Sequence, residues 1–500
     1  MNKRALRAPR FAVTALECFE RPVTLRLPFR FGAATVEEAP QAFVRATIRG
    51  TDGRVAQGFA AELMIPKWFD KSADRSNQRN VDDLRTSLAL ASAAYRSNSA
   101  PRGAFAHAAF HYDALLESGA RHGLNALTAS YGAALADRAL LDALCRMRDV
   151  SIGTALWLNL PGLGAELTPD LAHFDFDAFL SSRPALTGID ARHTVGIVDP
   201  LTPDDVDRAT APDDGLPVAL TEVIARYRNR YFKLKLSGDV NADIARLASI
   251  AAVLDATSDY RITLDGNEQF ADSNALSAFQ ERLRGEPRLA RLRDAILYLE
   301  QPFARAFALD IDVRPFARDM PLIIDESDAT MDAFPQARAQ GYAGVSSKSC
   351  KGVYKSLLNA ARCIRWNAGF ATLRAFMTGE DLTAQAGVAV QQDLALASLI
   401  GLTHVERNGH HYANGFAGQQ ASLREQRAFL DAHRDLYEVD GDDVRLAIRD
   451  GRIAVGSLAA RGFATAAWPD AETLTPMRTQ PEPHVASAGA PTTPDVRTRP

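Results

Sequence analysis

Charged residues close a series of short apolar runs along the middle of the chain, and their types and order are the first chemical signal. YFKLKL carries Lys233 and Lys235, and YRITLD closes on Asp265, with Asn267 just after. AILYLE closes on Glu300, followed by Gln301 and Pro302; PLIIDE closes on Asp325 and Glu326; GVSSK closes on Lys348, with Lys351 beyond. Alternation along a strand sends Lys233 and Lys235 to one face. If the runs are neighbouring strands of a parallel barrel, their C-terminal ends converge on one mouth, in the order Lys, Asp, Glu, Asp, Lys.

Three converging carboxylates repel one another, and a hard divalent cation relieves that repulsion. An all-oxygen set suits Mg2+ or Mn2+. A buried ammonium beside a cation and a second lysine has its pKa pushed down, which makes an amine base available near pH 7. Metal and lysine together suit the stabilisation of an enediolate while a proton leaves the carbon next to a carboxylate. Each residue alone has an ordinary reading. A single strand-end Asp or Glu is more often a cap or a solvated loop residue, and a single KxK is usually an exposed edge. Five such positions on five consecutive runs make chance placement the strained explanation.

These residues need a scaffold, and the rhythm of the chain supplies one. From His193 onward short apolar runs alternate with helical segments: TVGIVD, YFKLKL, YRITLD, AILYLE, PLIIDE, GVSSK, ATLRAFM and LTHVE. The starts at Tyr231, Tyr260, Ala295, Pro321 and Gly344 lie 29, 35, 26 and 23 residues apart. A TIM barrel spends about 30 residues on each strand–helix unit. A doubly wound open sheet alternates similarly; eight units favour the barrel. Before it, FVRATIRGTDGRVAQGFAAE alternates apolar and polar around a TDG turn, and YGAALADRALLDALCRMRDV has helical periodicity. These runs predict an α+β domain over 11–155. Residues 156–192 have little periodicity and read as a linker or insertion. The barrel is expected over 193–435 and a return segment over 436–468, with VRLAIRDGRIAVGS as a hairpin. The Pro-, Thr- and Ala-rich stretch 469–500 reads as a disordered tail.

Composition fits such a protein. The 500 residues exceed one ordinary domain; 47% are apolar and 24% charged, as in ordinary globular chains. A net charge of −4, from 57 basic and 61 acidic residues, with no basic stripe, argues against nucleic-acid binding. No run of about 18 apolar residues predicts a membrane span. The opening MNKRALRAPRFAVTAL lacks the apolar stretch of a signal peptide. Cys18, Cys145, Cys350 and Cys363 are scattered, which predicts free thiols in a reducing cytoplasm.

The series FKLKL, ITLDGN, LEQPF, IIDES and SSKSCKG resembles the enolase superfamily, specifically its muconate lactonizing enzyme-like branch. The resemblance runs from about Phe11 to Trp468. GFAAE is similar to the strand closing the first hairpin of that family's capping domain, and ALADRALLDAL to the helix leading into its barrel. The resemblance implies an α/β fold, a modified TIM barrel (β/α)7β with an α+β capping domain, and a homo-oligomer. It implies Asp265, Glu300 and Asp325 as ligands of Mg2+ (or Mn2+), and Lys235 and Lys348 as the acid/base pair. Lys233 would help hold the substrate carboxylate and the nascent enolate. Near the eighth strand HVERNGHHYANG, Glu406, Asn408, His410 and His411 become specificity candidates, Glu406 as a substrate contact. The histidine pair equally reads as structural imidazoles. LPFRFGAAT, with Phe29, Arg30, Phe31 and Gly32, resembles the loop that closes over the substrate, though its Phe residues also suit a core.

MTGEDLTAQ, after the seventh strand, holds no histidine for a His–Asp dyad, which favours lysine chemistry on both faces. SCKGV replaces the double glycine usual after the sixth strand. The expected reaction is removal of the α-proton of a small carboxylate, first as racemisation or epimerisation. Dehydration of an acid sugar or cycloisomerisation is the alternative on the same scaffold. A catalytically silent ligand-binding barrel is the distant one.

Overall fold

The computed structural model describes residues 8–477 apart from 32–33, 184–185, 258, 372–373 and 409. The chain opens with three strands, β1 (Phe11–Phe31), β2 (Ala34–Gly50) and β3 (Val55–Leu63), which form an antiparallel sheet in that order. The TDG turn closes the second hairpin: Gly53 N donates to Gly50 O at 2.9 Å. Gly53 takes φ of 83°, a left-handed conformation that a side chain would strain. Three helices follow, α1 (Asn77–Ser97), α2 (Ala104–Arg121) and α3 (Ala126–Arg148). α3 starts where the Asn125 side chain accepts a hydrogen bond from Thr128 N at 2.9 Å. β3 lies so close to α3 that a Cβ at Gly58 would stand 2.2 Å from Ala143 N, so this contact requires glycine.

Eight parallel strands make the second unit: β4 (Gly188–Val195), β5 (Tyr231–Lys235), β6 (Arg261–Asp265), β7 (Ile296–Glu300), β8 (Leu322–Ile324), β9 (Gly344–Ser347), β10 (Phe376–Gly379) and β11 (His404–Glu406). β11 pairs in parallel with β4, His404 opposite Asp190, and this closes the sheet into a barrel rather than an open sheet. The fold class is the expected one, a modified TIM barrel with an α+β capping domain. Among the described residues the β7–β8 crossover carries only a short 3-10 turn, Ala308–Asp310, in place of an α-helix. No helix among them is long and apolar enough to cross a membrane.

Four boundaries differ from the sequence reading. The first barrel strand starts at Gly188, ahead of His193, and TVGIVD is only partly strand. Its inward side chains include the buried polar Arg192 and Thr194, which break the apolar pattern; Gly196 N then donates to Asp199 at 2.7 Å as the chain turns away. Residues 156–192, expected as a linker or insertion, include the helix Phe176–Ser181 and run into the start of β4. The RDG turn forms, with Asp450 and Gly451 at positive φ, but its arms part. Asp443–Leu446 pairs with Tyr437–Asp440, while Arg452–Ala454 joins β4 antiparallel. The expected tail starts too early. Thr475 and Pro476 pair with Glu20 and Phe19 of β1, and Asp470 anchors this stretch by accepting from Ser422 Oγ at 2.8 Å. Residues 478–500 lie outside the described residues.

Candidate active site

The barrel places the strand-end charges by register. Lys235 of β5 stands opposite Asp265 of β6, and Asp265 opposite Glu300 of β7. Asp325 directly follows β8, and Lys348 directly follows β9. A narrow cavity of about 10 Å3 is lined by Lys233, Lys235, Asp265, Asp325, Lys348 and Glu406, among others. That volume admits about one water molecule, so a substrate enters only if part of the wall moves. β5 and β9 are four strands apart in a ring of eight, so Lys235 and Lys348 face each other across the mouth. A larger cavity of about 590 Å3 lies in the capping domain, but it lacks this opposed set of lysines and carboxylates.

Lys233 is the centre of the charge network. Its Nζ lies 3.0 Å from Asp265, 2.9 Å from Glu300, 2.8 Å from Glu380 and 3.1 Å from Glu406. Burial works against its charge, but the four carboxylates outweigh it and raise the pKa well above the ordinary lysine value. Lys235 Nζ donates to Asp265 Oδ2 at 2.6 Å, and Lys348 Nζ to Asp325 Oδ2 at 2.5 Å. Lys351 is tied to the same aspartate, bonding Asp325 O at 3.1 Å and Ser346 Oγ at 2.8 Å. Against burial, Lys233 and Lys235 hold Asp265 down to about 2, and Lys348 and Lys351 hold Asp325 well below the usual range. At Lys348 burial lowers the pKa, but the neighbouring Asp325 more than compensates and raises it above the ordinary lysine value.

Among the described residues, no three His, Cys, Asp or Glu side chains are gathered into a ready-made metal cage. Asp265, Glu300 and Asp325 reach one mouth, but two of them are turned to lysines. Glu300 is different. Among the described residues neither of its carboxylate oxygens has a hydrogen-bond partner, and Lys233 Nζ at 2.9 Å makes an ion contact only. Burial and the nearby Asp265 and Glu380 push its pKa well up. A buried carboxylate without donors, between two others, fits a hard dication held by Asp265, Glu300 and Asp325 once Asp265 and Asp325 exchange lysine partners. Asp325 lines the cavity, whereas Glu326 faces the capping domain and contacts Lys71 at 3.1 Å.

Glu406 lines the cavity and is locked by Lys233 and by the Thr194 hydroxyl. The other candidates from that strand do not line it. Asn408 Oδ1 accepts from Thr194 N at 2.6 Å, and His410 bonds Tyr227 Oη at 2.6 Å and Leu446 O at 3.0 Å. Burial pushes His410 down to about 3, so it is a neutral structural imidazole. His411 Nε2 faces Asp199 at 3.6 Å. Phe29 lines the cavity, while Gly32 and the Phe31 side chain lie outside the described residues.

Several residues escaped the sequence reading. Glu380 directly follows β10, and it joins Lys233, Arg192 and Tyr298 Oη, the last at 3.0 Å. Gln301, known only as a neighbour of Glu300, accepts from Asp325 N at 2.8 Å and Ser327 N at 3.1 Å, and so fixes the loop that carries Asp325. The capping domain contributes Trp68, whose ring centre lies 4.3 Å from Lys348 Nζ. Nothing local in the sequence links Trp68 to Lys348. Glu62 of β3 also reaches the barrel, accepting from Ser349 Oγ at 2.9 Å beside Lys348.

No family model matches the chain, and no curated protein matches it by sequence. Solved structures do match. A muconate lactonizing enzyme from Mycobacterium smegmatis, complexed with muconolactone, is 16% identical at a TM-score of 0.57, over 92% of this chain and 98% of that one. A dipeptide epimerase from Enterococcus faecalis V583, complexed with Mg and L-Leu-L-Tyr, is 14% identical at 0.56, over 91% and 99%. An enolase from Bradyrhizobium, complexed with magnesium and mandelic acid, is 14% identical at 0.55, over 92% and 96%. The chain has the fold of the enolase superfamily, a capping domain on a closed barrel.

Proposed function

We propose that this protein is a divalent-metal-dependent enzyme that removes the α-proton of a small carboxylate and returns one to the opposite face, as a racemase or epimerase. The observation that carries this reading is the opposition of Lys235 and Lys348 across a mouth whose intervening strands bear Asp265, Glu300 and Asp325. Two amines on opposite sides of one α-carbon suit proton removal by one and delivery by the other. Mg2+ bound by the three carboxylates would neutralise their charge and polarise the substrate carboxylate, stabilising the enediolate. Lys233, beside Asp265 and Glu300, adds positive charge at the same place. Lys235 and Lys348, on opposite faces, would each serve as acid for the enantiomer from which the other removes the proton. Phe29 and Trp68 from the capping domain wall the site and exclude water when closed. The Mg-bound dipeptide epimerase of the same fold supports this class of chemistry.

The test is α-proton exchange in deuterated water across a library of carboxylates, N-acylamino acids and dipeptides first, with and without Mg2+. Magnesium-dependent exchange with inversion is expected, and Glu300→Gln should abolish it while the melting curve stays cooperative. Exchange that ignores both Mg2+ and Glu300→Gln would refute the reading.

A further inference from the structure

The part of the segment 156–192 that precedes β4 does not line the mouth cavity, yet it builds a second site. Beside the N-terminal end of β4, where Ala454 pairs with Gly188, a cavity of about 420 Å3 opens between this segment, the helix Val388–Ile400 and the return segment. The mouth lies at the other end of β4. The wall is mostly apolar, with Leu156, Leu180, Leu399, Val455 and Leu458 among its residues. This volume and lining are those of a small-molecule site.

One residue does not belong in an apolar wall. Arg183 carries the only charge among the described residues that line the cavity. Its guanidinium lies 4.9 Å from the Phe179 ring centre, and its Nε is buried without a hydrogen-bond partner. It makes no ion pair with any described residue. By contrast, the polar Ser398 in the same wall is satisfied locally, Leu186 N donating to its Oγ at 3.0 Å. A buried Nε–H left without an acceptor is costly, and burial lowers the pKa of the guanidinium. A carboxylate is the acceptor whose geometry and charge match it.

We propose that this cavity binds a free monocarboxylate with an apolar body, the carboxylate held by Arg183 and the body by Leu156, Leu180, Leu399 and Leu458. The site is separate from the proposed chemistry, and the inference does not depend on it.

Calorimetric titration of the full chain with octanoate, 1-octanol and octylammonium tests it. Octanoate should bind once at this site, 1-octanol roughly tenfold or more weaker, and octylammonium not at all. Arg183→Gln should weaken octanoate about tenfold or more and leave 1-octanol unchanged. Leu458→Trp, which fills the cavity, should weaken both, with thermal melts confirming that each variant folds. If Arg183→Gln fails to fold, the octanoate-to-octanol ratio and Leu458→Trp still decide. Equal affinity for octanoate and 1-octanol, octanoate binding that survives the variants, or no binding at millimolar octanoate would each overturn the proposal. So would self-association that Leu458→Trp abolishes without any octanoate heat, because a second copy would then be the occupant.

Discussion

The barrel mouth and one position in the helical layer of the capping domain, Asp137, both bury carboxyl groups, and they hold them in opposite ways. At the mouth, Lys233 sits within about 3 Å of four carboxylates, and Asp265 and Asp325 each have two lysines. Charge is kept because it is matched. Between α1 and α3, Asp137 accepts from the Tyr95 hydroxyl at 2.6 Å and has no ion-pair partner among the described residues. Burial there pushes its carboxyl up to about 7. A buried carboxyl with a neutral partner becomes a weak acid, whereas one with ammonium partners stays ionised. Function wants the second arrangement, because a retained charge can act on a substrate. Glu300 stands between the two cases: surrounded by charge, yet without one hydrogen bond.

The largest effect should come from breaking the matched region at its centre. Lys233→Met leaves Asp265, Glu300, Glu380 and Glu406 facing one another. Activity should be lost and stability should fall by about 3–5 kcal/mol, as for a buried ion pair stripped of one partner. In metal-free buffer the carboxylates relieve the repulsion by taking up protons. Urea melts should therefore show the variant losing more stability, relative to wild type, at pH 8 than at pH 5. An equal loss at both would mean the four carboxylates do not act as a set.

The capping region should respond in the opposite sense. Below pH 3.8, the ordinary value, Asp137 is protonated in both the folded and unfolded chains and contributes nothing. As pH rises towards 7 the unfolded chain releases this proton first, costing the folded state about 1.4 kcal/mol per unit and about 4 kcal/mol in all. Asp137→Asn keeps an acceptor for Tyr95 and removes the titration. The variant should gain on wild type between pH 4 and 7, by several kcal/mol at the upper end. A difference that does not change with pH would show Asp137 to be ionised in the fold.

A smaller effect belongs to the place where the two units meet. Trp68→Leu removes the ring over Lys348 without touching a carboxylate, and a cation–π contact of this kind is worth about 0.5–2 kcal/mol. A fall of roughly 3- to 30-fold in kcat/KM is expected, beside the loss of stability that shrinking a buried ring brings. No change would leave Trp68 as a wall residue only.

The same contrast explains what the sequence revealed. Strand-end charges at Lys235, Asp265, Glu300, Asp325 and Lys348 were legible because each follows an apolar run, and runs of one kind converge in a barrel. β4 was blurred because Arg192 and Thr194 point polar groups inward. Glu380 is less legible because it stands three residues beyond the run ATLRAFM. Trp68, Lys71 and Glu62 could not be read at all, since their partners at Lys348, Glu326 and Ser349 lie hundreds of residues away in sequence. Pairing of the two regions is a property of the fold and not of any local pattern.

The claim that two lysines serve two faces is tested most directly by following α-proton exchange of each substrate enantiomer by NMR in deuterated water, for Lys235→Ala and Lys348→Ala. Each variant should still exchange one enantiomer and lose the other by roughly 10²–10⁴-fold, with the preference reversed between the two variants. Racemisation should vanish in both, because every turnover needs both faces. If both variants exchange both enantiomers at the wild-type rate, Lys235 and Lys348 are not the acid/base pair.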